Sequence, residues 1–334
     1  MGVATVLYDC FHPLQQAYAR VAHQLAREEG LATRFVRYHH QYYSELARQR
    51  QEILAEIKAG LNSVALSDYS FKSWQRVIRF KYAGHPLCVR GSLALPGGRF
   101  NVGKIAPELF PTFSALYIAS DKRTALAEVL GQESIPGSPF SAEELALANP
   151  ASIVALSVSG HLECVFDVRQ PEALKTFIRL TKDFTLSADL KKQAKKLPVS
   201  KPRLITTAPE LHRSVLVRDW RSVPTLCEIP SNGQIFGQLV RAAGISAVLY
   251  SSTLTRGDCL AIFPENFLNT SSWVALDDEL PPAVVGPVRV DSSNWELTER
   301  IETELPAPAR EVAAELTTQP VARAVSAVRG ATEE

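Results

Sequence analysis

Apolar positions change their spacing as the chain proceeds. Over 13–29, Leu14, Ala17, Tyr18, Val21, Ala22 and Leu25 recur at three- and four-residue intervals, which predicts a helix that Gly30 can stop. Over 42–60, Leu46, Ile53, Leu54 and Ile57 share one face, so 1–75 reads as a mostly helical N-terminal extension. Alternation then takes over. Leu87, Val89, Leu93 and Leu95 predict a strand over 86–95, and Pro96-Gly97-Gly98 signals a turn. A short strand follows at 115–119, after which Ser120 or Asp121 can cap a helix to about Leu130. Segments 153–159 and 163–168 read as two strands joined by a Ser-Gly-His turn, and 171–196 as helical. Ser231 caps a predicted helix over 232–243 that ends at Gly244, and strands are expected at 245–250 and 259–263. Residues 280–334, rich in Pro, Ala and Glu, read as a loosely attached tail with a helix near 308–316.

Composition narrows the class. The chain has 334 residues, of which 46% are hydrophobic and 21% charged, as expected for a soluble globular protein with a real core. A net charge of +1 gives no global field that would favour nucleic acid or a membrane surface. No run of apolar residues is long enough to span a bilayer, and the N-terminus lacks a signal-peptide pattern. Five scattered cysteines without a CxxC pair suggest neither zinc nor a disulfide framework, and a reducing cytoplasm is the expected setting. His39 and His40 lack the accompanying carboxylate or cysteine spacing of a metal site and read as a solvated helix start, so no metal is expected. The basic run Lys191, Lys192, Lys195, Lys196, Lys201 and Arg203 reads as a solvated helix face.

Candidate chemistry concentrates in 90–129. Arg99 follows Gly97-Gly98, where the backbone can approach a ligand closely and a guanidinium can fork onto a phosphate; a surface arginine on a tight turn is the plain alternative. No Gly-Lys-Ser/Thr follows and no GxGxxG is present, which excludes the Walker and Rossmann fingerprints. Glu128 stands in the apolar run Ala125-Leu126-Ala127-Glu128-Val129-Leu130. A carboxylate there is costly to bury unless hydrogen-bonded or catalytic, and it could hold ribose hydroxyls or stabilise a cationic anomeric carbon. It could equally point outward from an amphipathic helix. Tyr117 suits either core packing or an aromatic ligand. Ser251 and Ser252 follow a strand end, and no Gly-x-Ser-x-Gly elbow marks either as a hydrolase nucleophile.

The order of these motifs carries a resemblance. Gly97-Gly98-Arg99-Phe100-Asn101, Leu116-Tyr117-Ile118-Ala119, Thr124-Ala125-Leu126-Ala127-Glu128-Val129 and the terminal Tyr250-Ser251-Ser252 resemble the RES domain, over roughly 80–265. Phe100 stands where the family usually has Trp, and the family's Tyr-Pro-Ser has lost its proline. The resemblance implies a compact α+β, mixed-sheet fold like that of ADP-ribosyltransferase toxins, here over 76–279 with an insertion at about 170–230. It implies an enzyme that cleaves the nicotinamide–ribose bond of NAD by phosphorolysis or hydrolysis. NAD is then the substrate, inorganic phosphate a candidate co-substrate, and no further cofactor is needed. By motif, Glu128, Arg99 and Ser252 are the catalytic set, and Arg90, Arg99, Tyr117, Ser251 and Ser252 contact NAD, with Ser252 favoured over Ser251. It also implies the toxin of a bacterial toxin–antitoxin system with a separately encoded antitoxin. A homodimer through the N-terminal helices is a further expectation. Rival readings are a protein ADP-ribosyltransferase using the same pocket, whose insertion docks the target, and a non-catalytic interaction protein.

Overall fold

The computed structural model describes residues 29–130, 153–197, 202–279 and 284–299. The expected helix over 13–29, except its last residue, the tail helix near 308–316, Cys10 and Lys201 lie outside them. Two helices lead in, α1 (Glu29–Glu52) and α2 (Leu54–Asn62). Gly30 sits in the first described turn of α1 rather than at a stop, and His39 and His40 lie within that helix. The strand β1 (Leu66–Arg79) follows, then two short strands, β2 (Gly97–Gly98) and β3 (Asn101–Val102), which pair as a hairpin. Next come β4 (Leu116–Ala119), α3 (Lys122–Leu130) and β5 (Ile153–Asp167). A helical segment holds α4 (Lys175–Thr181), α5 (Ala188–Lys196), α6 (Ala208–Val215) and α7 (Ser222–Cys227). The chain continues with α8 (Asn232–Ala242), β6 (Ala247–Ser251), β7 (Asp258–Ile262), β8 (Trp273–Leu276) and β9 (Arg289–Val290).

The main sheet runs β1-β4-β7-β6-β5-β8-β9, and β1 also pairs with β5, so five strands close on themselves. Among the described residues, only β5–β6 is parallel, and the other pairs in this sheet are antiparallel. Alternation along the strands divides the side chains between two cores, as a period of two requires. Leu116, Ile118, Leu249, Leu260 and Ile262 join one cluster with Val158 and Leu162. Val248, Tyr250, Cys259 and Ala261 join the other, against α1, α2 and α8.

Three further expectations, two about strands and one about the tail, are corrected. The predicted strand at 86–95 is a set of turns with a short 3-10 helix at Arg90–Leu93. Its backbone is held by Arg76, which donates from Nε to the Pro86 carbonyl (2.7 Å) and from Nη2 to that of Cys88 (2.6 Å), satisfying carbonyls that a strand would have paired. The two strands at 153–168 are one. Gly160 continues the strand, and any side chain there would collide with the Phe71 ring and the Trp273 carbonyl, which press on it from β1 and β8. The segment 284–299 is not a loose tail: β9 pairs with β8, Val290 is buried, and the Val89 amide donates to the Thr298 carbonyl (2.9 Å).

The expected boundary at 75/76 falls inside β1, whose pairing with β5 runs from Leu66 to Arg79. Leu31, Phe35 and Tyr38 of α1 and Ile57 and Leu61 of α2 sit in the same core as Phe236 of α8. The first helices are therefore part of the sheet's packing. Lys191, Lys192, Lys195 and Lys196 are exposed on α5, as a solvated face would be.

Candidate active site

The site begins with the turn between β2 and β3. Gly97 adopts φ +98°, a left-handed conformation that glycine tolerates, and any Cβ there would overlap the Gly103 amide. A Cβ on Gly98 would overlap the Tyr117 hydroxyl. That hydroxyl locks the turn: it donates to Asn101 Oδ1 (2.9 Å) and accepts from the Phe100 amide (3.0 Å). Asn101 Oδ1 also accepts from the Gly98 amide (2.8 Å), while its Nδ2 donates to the Ser92 and Phe113 carbonyls (2.8 and 2.9 Å). Burial pushes the Tyr117 phenol well above its ordinary range, so it stays a neutral donor.

Helix α8 grips the same turn from behind. Ser231 and Gln234 form a capping box at its start. Gln234 Nε2 then donates to the Pro96 and Asn101 carbonyls (2.7 and 3.0 Å). Gly237 lets the helix touch the Phe100 carbonyl, which a Cβ would overlap. A glycine in mid-helix weakens a helix, and here that loss permits the close approach.

Arg99 is thereby aimed inward and is only 5% exposed. Its Nη1 donates to the Val217 carbonyl (2.6 Å) and Nη2 to Thr253 Oγ1 (3.3 Å), while the buried Nε has no partner among the described residues. Opposite, Asp121 caps α3 by accepting from the Thr124 amide (2.8 Å). Thr124, Ala125, Leu126 and Ala127 are buried along that helix, and Glu128 is half-buried at its end. Ser252, 3% exposed, donates to Glu128 Oε1 (2.7 Å) and itself accepts from the Leu254 and Thr255 amides (3.1 and 3.3 Å). The hydroxyl thus relays two backbone donors onto the carboxylate and fixes its direction.

A cleft of about 380 Å³ lies between these groups, lined by Arg99, Tyr117, Glu128 and Tyr250 among others. Four arginines line it (Arg76, Arg79, Arg99 and Arg221), and Glu128 is its sole acid among the described residues. Arg76 is buried, and burial draws its pKa down to about 10; its donors are spent on three backbone carbonyls, those of Pro86, Cys88 and Tyr117. Burial raises the thiol of Cys259 and the phenol of Tyr250, so both wall groups stay neutral. The cleft is therefore a cationic pocket with one oriented carboxylate.

The family model described as RES domain matches residues 73–281, more than half of the chain. The chain belongs to the RES domain family. No curated protein matched it. Among solved structures it is similar to a chain of the M. tuberculosis MbcT–MbcA toxin–antitoxin complex, with 13% identity, a TM-score of 0.39, and coverage of 73% of this chain and 97% of that one.

Within this RES domain, the structure brings Arg99, Tyr117, Glu128 and Ser252 together and leaves two expected residues out. Arg90 is exposed on the 3-10 helix and does not line the cleft. Ser251 still belongs to β6, opposite Asp258, and its side chain falls on the face shared by Leu249 rather than the cleft face of Tyr250. Ser252, also expected to contact NAD, does not line the cleft itself and reaches it only through its hydrogen bond to Glu128. Arg76, Trp220 and Arg221 were not singled out from the sequence. Arg76 carried a weak signal, as a charge directly before the apolar pair Val77-Ile78; Trp220 and Arg221 carried none. No group of three or more His, Cys, Asp or Glu residues that could hold a metal occurs among the described residues. No described helix is long and apolar enough to cross a membrane.

Proposed function

We propose that this RES domain cleaves the nicotinamide–ribose bond of NAD, transferring ADP-ribose to water or phosphate. The observation that carries the reading is the single carboxylate, Glu128, fixed by Ser252 on the wall of a cleft whose other charged lining residues are all arginines. NAD has the matching distribution of charge, a dianionic diphosphate and a cationic nicotinamide ring. When the C–N bond breaks, its electron pair stays with the ring nitrogen, which leaves as neutral nicotinamide. Positive charge then grows on the anomeric carbon, where an oriented carboxylate stabilises it. A lone pair from water or phosphate completes the new bond, and water's proton passes to solvent. Arg99 supplies fixed positive charge, and the Tyr117 ring forms the wall beside it.

The test is release of nicotinamide from NAD by the purified protein, with and without inorganic phosphate. Release only with phosphate identifies a phosphorylase; release without it identifies a hydrolase; label transferred onto a protein band identifies a transferase. Glu128→Gln should abolish release while leaving the thermal midpoint nearly unchanged. Wild-type turnover in that variant would overturn the assignment. A toxin role, with a separately encoded antitoxin protein covering the cleft, is the corresponding cellular proposal. Growth arrest on expression, absent with Glu128→Gln, would support it.

A further inference from the structure

One arginine of the cleft comes from the helical segment between β5 and α8 rather than from the motif turn. The Arg221 guanidinium carbon lies 4.4 Å from the centroid of the Trp220 ring, and Trp220 is buried. Stacking on a fixed indole sets the plane of the guanidinium while leaving its N–H edges open. Among the described residues, no hydrogen bond or ion pair engages the Arg221 side chain. Asp219, two positions earlier, is hydrogen-bonded by Ser222 and does not line the cleft. Arg99 differs, with both terminal nitrogens committed to Val217 and Thr253. Val217 and Arg221 belong to the same short segment, so the chain that anchors Arg99 also sets Arg221 relative to it.

We propose that Arg221 receives the diphosphate of a dinucleotide substrate, so that the helical segment, not Arg90, sets the preference for a dinucleotide over a nucleoside. This rests on the NAD reading of the site. The argument is one of charge and geometry. Arg99 and Arg221 share a cleft with a single carboxylate, which leaves positive charge uncompensated until an anion enters. Burial first, and then Arg99, lower the Arg221 pKa, as expected for two cations brought close in a partly dry site. The open fork of a guanidinium matches two oxygens of a diphosphate.

The experiment compares wild type, Arg221→Gln and Arg221→Lys on NAD and on nicotinamide riboside, which lacks the diphosphate. Loss of charge-assisted hydrogen bonds should raise KM for NAD roughly 10- to 100-fold in Arg221→Gln, with a much smaller fall in kcat. The preference for NAD over the riboside should collapse by a similar factor, and Lys should fall between. An equal loss on both substrates through kcat would overturn the proposal, because Arg221 would then act at the bond that breaks. Absence of nicotinamide release by wild type would defeat the NAD reading separately. In that case calorimetry with inorganic pyrophosphate decides: binding to wild type that is lost in Arg221→Gln keeps the anion site, and no binding to wild type removes it.

Discussion

Replacing Tyr117 with Phe removes one oxygen atom from the centre of the motif turn. The ring remains, so the cleft wall keeps its shape. The hydroxyl gives one hydrogen bond to Asn101 and takes one from the Phe100 amide. Asn101 Oδ1 keeps the Gly98 amide as a donor, so its loss amounts to an ordinary hydrogen bond, about 1 kcal/mol. The Phe100 amide is left without a protein partner in an enclosed place, and an unpaired buried N–H costs about 1–3 kcal/mol. The sum is roughly 2–4 kcal/mol, which for a domain of this size lowers the thermal midpoint by roughly 5–15 °C. Circular-dichroism melts of wild type and Tyr117→Phe measure it directly, alongside nicotinamide release well below the transition. An unchanged midpoint would refute the claim that the hydroxyl holds the turn. An unchanged midpoint with activity lost would make the hydroxyl a substrate contact instead.

Two further outcomes follow from the geometry. Ser252→Ala removes the donor that orients Glu128 and should lower kcat for nicotinamide release roughly 10- to 100-fold, the worth of a hydrogen bond to a charged group. A kcat within twofold of wild type would show that the carboxylate needs no such support. His39 is buried, and burial first, with His40 second, draws its pKa from 6.5 down to about 4, so the folded protein holds it neutral. Its contribution is present above the unfolded value and is lost as pH falls through the window from 6.5 to 4, at most about 3 kcal/mol. Denaturation midpoints across that range should decline in wild type and flatten in His39→Phe, which keeps a ring against Phe35; equal slopes would refute the assignment.

The motif residues themselves were legible in the chain, because their signals are local. A glycine pair before Arg99 announces a turn, and an acid within Ala-Leu-Ala-Glu-Val announces a carboxylate on an apolar helix. Helix α8, with its Ser231 cap, and strands β4, β6 and β7 were also readable, since caps and alternation act within a few residues. The two cores, the closure of β1 on β5 and the position of Arg90 were not. Leu87, Val89, Leu93 and Leu95 alternate like a strand, yet Arg76 takes the carbonyls of Pro86 and Cys88 that a strand would have paired. Choosing between Ser251 and Ser252 required the register of β6 against β7, because one residue turns a side chain to the opposite face. Trp220 and Arg221 reach the cleft only because a distant segment folds over the turn and accepts a hydrogen bond from Arg99. The sequence alone determined the local elements, the glycine turn before Arg99 and the acid on an apolar helix; the tertiary structure decided which side chains meet, because long-range contacts, unlike turns and caps, leave no periodic trace in the chain.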